Sequence, residues 1–370
     1  MARACIITYD EYSNIPYVKD YENILVSKGI IYDIVLWNRS KSEDSAYPKS
    51  PENVFAFTWH TRKSKLSKLR PFLEWRRFVL KILMDNKYDF LIVCTTIPAV
   101  LLYNTLIKNF TGKFVFDIRD YTYENFMLYR NMTKKLTLSS GLTCISSKGF
   151  LDWLPCNVDK YIVTHNIAKS DIEWSKSTEA NAGRQLFNRS KPVKIGFVGG
   201  IRYYDANVKL INAFANHSDF ELVYAGKFHP GCDLEGYCKD NGILNVSFLP
   251  RFTQEEKPMI YQSIDIINSV YGNETLEVRT ALPNRLYDSV VYKIPIMVTG
   301  GTFLSSIVET YNLGLNVTIE SKNILLQTQE YIRRFDEVKF TTGCQDFFSY
   351  VIKEKEHALE QISEFISYHL

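Results

Sequence analysis

The run ALPNRLYDSV places Pro283, Asn284 and Arg285 at the head of a helix-like segment, with Asp288 five residues after the proline. Proline suits the first turn of a helix, where its missing N–H costs nothing, and the free amides that follow carry partial positive charge. Arg285 adds a full charge at the same end, so together they suit a diphosphate. Asp288 lies about one and a half turns on. A carboxylate there accepts hydrogen bonds from a ribose diol, as the acid of a Rossmann unit does. The plainer alternative is an acid stabilised by the helix dipole.

Other strand ends offer related chemistry. IGFVGGIRYYD runs from an apolar strand into Gly199-Gly200, followed by Arg202 and a helix starting near Asp205, so backbone amides can approach an anion closely. The motif is short of a full G-x-G-x-x-G, and a tight strand-to-helix turn needs the same glycines. The next strand ends in AGKF, which sets Lys227 at the same edge, where a lysine is commonly just solvated. In the first half, FDIRDYTYE holds Asp117 and Asp120 three apart beyond a strand, and YIVTHN ends another with His165. Ordinary structural roles compete here as well: Asp120 as a helix cap, Asp117 paired with a cation, and a lone histidine in the framework.

A different chemistry is written in TRKSKLSKLRPFLEWRRFVLKI. Arg62, Lys63, Lys65, Lys68, Arg70, Arg76 and Arg77 are interleaved with Leu66, Leu69, Phe72 and Trp75, against the single acid Glu74. A cationic stretch carrying aromatics fits an anionic membrane surface. A solvated helix face and RNA are the alternatives, and Pro71 interrupts any single helix through it.

These residues need strands and helices to hold them. Runs rich in Val, Ile, Phe and Tyr recur at 4–8, 31–37, 54–59, 90–95, 114–118, 142–146 and 161–164, then at 193–198, 220–225, 246–249, 265–270, 294–298 and 314–318. Helix-length segments alternate with them, the pattern of a parallel sheet covered on both faces. The chain of 370 residues exceeds the ~250–300 at which single cores stop growing. It divides into doubly wound α/β units at 1–168 and 192–344, with a polar linker at 169–191. An amphipathic C-terminal helix at about 345–370 can pack back on the first unit.

Bulk properties exclude several classes. Hydrophobic residues at 46% and charged residues at 23% describe a globular protein, not a disordered one. A net charge of +3 does not call for a nucleic-acid partner. Seven cysteines without a C-x-x-C pair, three of them (Cys5, Cys94, Cys144) in strand-like runs, read as reduced core thiols of a cytosolic protein. The N-terminus turns polar by Tyr9, too early for a secretory signal. The longest apolar stretch, 90–103, is shorter than the ~20 residues of a membrane span.

The second half resembles the nucleotide-sugar domain of GT-B glycosyltransferases, in particular the retaining enzymes that build bacterial capsular and lipid-linked polysaccharides. The matching pattern is a strand ending F-V-G, a strand ending A-G, then P-N-[KR]-L-Y-[ED], the strand IPIMVTG and Leu313-Gly314, over roughly residues 193 to 318. The first half matches in architecture alone. The resemblance implies two Rossmann-like doubly wound domains facing a cleft, the first binding an acceptor and the second a nucleotide sugar. It implies transfer of a hexose-type sugar, with retention, to a glycan or polyprenyl-linked acceptor in cell-surface polysaccharide synthesis. Pro283, Asn284, Arg285 and Leu286 would then meet the donor diphosphate and Asp288 its ribose, beside Gly199, Gly200, Arg202 and Lys227. Asp117, Asp120 or His165 would serve the acceptor hydroxyl. No cofactor or metal is expected, since Arg202, Lys227, Arg285 and the helix dipole can neutralise the leaving group. Lipid-linked acceptors make the anionic inner face of the cell membrane the expected peripheral partner, and nucleic acid is not expected.

Two departures keep rivals open. The family's E-x7-E pair would need an acid at Thr280, with Glu274 and Glu277 out of register, and Gly200 stands where many members carry an arginine. A sugar-nucleotide epimerase of the same fold and a non-catalytic subunit are the alternatives.

Overall fold

A computed structural model describes residues 2–38, 53–56, 69–155, 161–177, 186–187, 191–319 and 323–370. It divides into two units, Met1–Asn166 with Lys353–Leu370, and Ile167–Ile352.

In the first unit β1 (Arg3–Ile7), β2 (Ile31–Asn38), β3 (Val54–Ala56), β4 (Phe90–Cys94), β5 (Phe114–Ile118), β6 (Leu142–Ile145) and β7 (Tyr161–Val163) form a parallel sheet in the order β3-β2-β1-β4-β5-β6-β7. In the second, β8 (Val193–Val198), β9 (Phe220–Ala225), β10 (Val246–Leu249), β11 (Ile266–Ser269), β12 (Ile296–Thr299) and β13 (Gly314–Val317) form another, in the order β10-β9-β8-β11-β12-β13. Every residue of β4, β5 and β12 is buried, which is why these strands read as continuous apolar runs instead of alternating ones.

Two boundaries differ from expectation. The polar linker contains a helix, Lys169–Ser175, that belongs to the second unit: Ile172 and Trp174 pack on its core. Its apolar residues are too few for a local signal, and distant partners hold it. The C-terminal helix starts earlier, running Glu337–Tyr368. Phe340, Cys344, Phe347 and Val351 lie in the core of the second unit, whereas Ala358, Ile362 and Ile366 lie in that of the first. One heptad-like stripe thus serves two cores in succession.

Candidate functional site

In the second sheet the strand order switches direction between β8 and β11, and ligands of such sheets bind beyond the carboxyl ends of the strands at that point. β8 ends at Val198 and continues into Gly199 (φ 116°), while β9 ends at Ala225 and continues into Gly226 (φ 136°). The two turns nearly touch, since a Cβ on Gly226 would lie 2.0 Å from the Gly199 carbonyl oxygen. Glycine is required there for its missing side chain as well as its dihedrals.

Arg285, in the first turn of the helix Asn284–Val291, reaches into this switch point. Its Nε donates to the Val198 carbonyl at 2.6 Å, Nη1 donates to the Tyr271 hydroxyl, and the guanidinium carbon lies 3.5 Å from the centroid of the Phe197 ring. One guanidinium therefore bridges the ends of β8 and the loop after β11. Arg285 is only 6% exposed, and among the described residues no carboxylate pairs with it. A buried cation without a counter-ion is costly, and a guanidinium has five donors to satisfy. A Cβ at Gly199 would stand 3.6 Å from Nη2, so the bare glycine keeps that nitrogen approachable.

Around this cation, Gly200, Arg202 and Lys227 are exposed at the same edge. Tyr203, held at φ 61°, stacks on Tyr271 with ring centroids 4.7 Å apart. Its hydroxyl lies 3.5 Å from Glu277. Neither tyrosine carries a signal readable along the chain. Pro283 is the N-cap (φ −78°, ψ 155°) and Asn284 the first helical residue, one position later than expected. Leu286 is fully buried in the core, so it anchors the helix and does not face a ligand.

Asp288 requires the largest correction. It is 5% exposed, its Oδ1 lies 2.7 Å from Lys257 Nζ, and its Oδ2 accepts from the Tyr261 hydroxyl at 2.6 Å. Lys257 also reaches Asp171 at 3.1 Å. Burial raises the Asp288 pKa against the opposing pull of Lys257. At Lys257 burial opposes the charge, but Asp288 and Asp171 outweigh it and hold the ammonium above its ordinary range. The carboxylate is thus engaged with internal partners instead of being presented to a ribose. Lys257 and Tyr261 were missed because they precede Asp288 by some thirty residues with no motif linking them.

In the first unit the expected acceptor-side residues separate. Asp117 is 0% exposed, and its Oδ2 takes Arg119 Nε at 2.9 Å and the Tyr21 hydroxyl at 2.9 Å, so it forms a buried ion pair. His165 is buried, with Nε2 2.9 Å from Glu354 of the last helix; it ties a strand end to that helix. Asp120 is exposed in the loop after β5. The next helix, Met127–Ser139, has Phe126 at its N-cap position, so Asp120 does not cap it.

That loop also holds an acid the sequence did not single out. Glu124 is fully buried; its Oε2 accepts from the Thr122 amide at 2.5 Å and its Oε1 has no partner among the described residues. Burial raises its pKa above the usual carboxylate range. The folded state then binds this proton more tightly than the unfolded chain, so the associated stability is complete below the unfolded pKa and is lost as pH rises through the folded one. Glu124→Gln does not titrate. Its melting temperature relative to the parent should rise by a few degrees from pH 4 to pH 8, the scale on which ~1 kcal/mol moves a domain. A difference that stays constant with pH would refute the assignment.

Of the basic stretch, Arg62, Lys63, Lys65 and Lys68 lie outside the described residues. Arg70 pairs with Glu74 at 2.6 Å, Arg77 is exposed, and Arg76 donates Nε to the Leu101 carbonyl at 2.8 Å, which directs Arg76 to a neighbouring helix and not to a surface. Among the described residues no helix is long and apolar enough to cross a membrane.

No protein-family model and no curated protein sequence matches the chain. Solved structures do. Sucrose-phosphate synthase from Thermosynechococcus elongatus superposes with a TM-score of 0.69 at 14% identity, covering 99% of this chain and 98% of that one. HepE from Anabaena in complex with UDP gives 0.65 at 13% identity, covering 98% and 100%. The α,α-trehalose 6-phosphate synthase from Burkholderia multivorans gives 0.66 at 10% identity, covering 100% and 96%. At such identities the likeness establishes the fold: two parallel-sheet α/β units of GT-B architecture.

Proposed function

We propose that the protein is a glycosyltransferase that moves a sugar from a nucleotide-diphosphate sugar to an acceptor hydroxyl. The observation that carries this is Arg285, a buried guanidinium with no acidic partner among the described residues, set at the switch point of the second sheet. A diphosphate supplies the missing counter-charge. Similar folds support a nucleotide donor, since HepE was solved with UDP and with UDP and glucose. In this reading Arg285 stabilises the charge that develops on the leaving diphosphate, where low dielectric makes it most effective. Arg202, Lys227 and the helix amides beyond Pro283 and Asn284 add to it, without a need for a metal. Gly199 and Gly200 let the backbone approach the phosphates. Asp120, exposed beyond β5, orients the acceptor hydroxyl. Retention, a hexosyl donor and a lipid-linked glycan acceptor of a surface polysaccharide rest on the motif resemblance.

Thermal shift against UDP, GDP, CDP and dTDP tests the donor. One of them should stabilise the protein by about 2.7 kcal/mol at 100 times its dissociation constant, and no shift with any would defeat the proposal. The non-catalytic alternative draws on Thr280, which is fully buried and donates to the Leu276 carbonyl at 2.7 Å where the family pattern has an acid. Nucleotide binding without transfer to any acceptor would favour it. Turnover of a nucleotide sugar with no acceptor present would instead favour the epimerase.

A further inference from the structure

Among the described residues, neutral groups alone hold the Arg285 guanidinium. The Val198 carbonyl accepts from Nε, the Tyr271 hydroxyl accepts from Nη1, and the Phe197 ring lies beneath the guanidinium carbon. Each turns partial negative charge toward the cation without cancelling it. A carboxylate in place of the hydroxyl would orient the side chain equally well, but it would neutralise the charge and repel a diphosphate. Tyr271 orients and leaves the charge in place.

No helix or strand fixes Tyr271 itself, since it lies in the loop between β11 and the helix Leu276–Thr280. Rings hold it instead. Tyr203 stacks on it at 4.7 Å with 30° between the planes, and Phe197 meets it edge-on at 6.1 Å. Tyr203 stands at φ 61°, a left-handed conformation that is unfavourable for any residue with a side chain. The fully buried Asn207 keeps it there, donating Nδ2 to the Arg202 carbonyl at 2.6 Å and to the Tyr203 carbonyl at 3.0 Å. Such a conformation persists only where the surroundings over-determine it. Support thus passes from Asn207 to Tyr203, from Tyr203 to Tyr271, and from Tyr271 to Arg285.

We infer that Tyr271 is a positioning residue for diphosphate binding, acting through Arg285. With Nε and Nη1 both engaged, the plane of the guanidinium is set, and Nη2 is kept at the Gly199 turn, 3.6 Å from where a Cβ would stand. Without the hydroxyl, one hydrogen bond and one ring contact remain, and the long side chain can turn about them. Each binding event must then order it again, at a cost in affinity. The inference rests on the reading of Arg285 as the diphosphate's counter-charge and adds the group that aims it.

The test is calorimetric titration of the full chain with UDP, GDP, CDP and dTDP, on the parent, Tyr271→Phe, Arg285→Met and the double variant. Phenylalanine keeps both ring contacts, so the melting temperature of Tyr271→Phe should match the parent's. Its affinity for the diphosphate that binds the parent should fall about 10-fold, the scale of one hydrogen bond. Beside Arg285→Met the same change should have no further effect, because a residue that works through Arg285 then has nothing left to aim. A residue that merely supports the fold would show its loss in both backgrounds. Undiminished affinity in Tyr271→Phe, or a loss that persists in full beside Arg285→Met, overturns the inference while Arg285 keeps its role. Failure of the underlying reading looks different: no diphosphate binds the parent, or Arg285→Met binds as the parent does, and the inference falls with it.

Discussion

Arg285→Met is expected to weaken nucleotide-diphosphate binding by one to two orders of magnitude while leaving the unliganded protein as stable as before, or more so. A charge-assisted hydrogen bond contributes ~1.5 to 3 kcal/mol, or roughly 10- to 150-fold in affinity. Removing a buried cation that has no carboxylate partner relieves its desolvation cost, and methionine keeps much of the volume over Phe197. Binding and stability should therefore move in opposite directions, as they do when a site is built at the expense of the fold. Arg285→Lys should not restore affinity, since an ammonium cannot bridge the Val198 carbonyl and the Tyr271 hydroxyl together. Calorimetric titration with a nucleoside diphosphate, alongside melting curves, reads both effects. Unchanged affinity in a folded variant would remove Arg285 from the site.

Lys257→Ala should cause the largest loss of stability, about 3–5 kcal/mol, by leaving charges buried without their partner. Lys257 lies between Asp288 at 2.7 Å and Asp171 at 3.1 Å, with its side chain 12% exposed. Asp288→Asn on that background should recover part of the loss, because the amide removes one of the stranded charges and still accepts from Tyr261. Denaturant unfolding of the single and double variants measures the coupling. A loss below about 1 kcal/mol, the worth of an exposed pair, would mean that solvent already screens the cluster.

Local pattern made the sheets legible. Each of the thirteen strand-like runs contains most or all of the described part of a strand in one of the two parallel sheets, because strands buried on both faces must be apolar at nearly every position. Gly199 was legible as part of a tight turn. The close approach that makes Gly226 indispensable involves the Gly199 carbonyl on a neighbouring strand and leaves no local trace. The helix Lys169–Ser175 was hidden for a similar reason, since Asp171 and Trp174 owe their places to Lys257 and Tyr292.

Charges divided differently. By itself the sequence determined that cations and acids gather at strand ends and helix starts, since those positions follow from periodicity and capping chemistry within a few residues. Only the tertiary structure decided which of them face a ligand. Arg285 and Asp288 sit on one helix three residues apart, yet one meets Val198, 87 residues away, and the other Tyr261, 27 away. Asp117 is claimed by Tyr21 across 96 residues and His165 by Glu354 across 189. A charge becomes structural when the fold brings it a counter-charge or a donor, and it stays available for a ligand when the fold buries it without one.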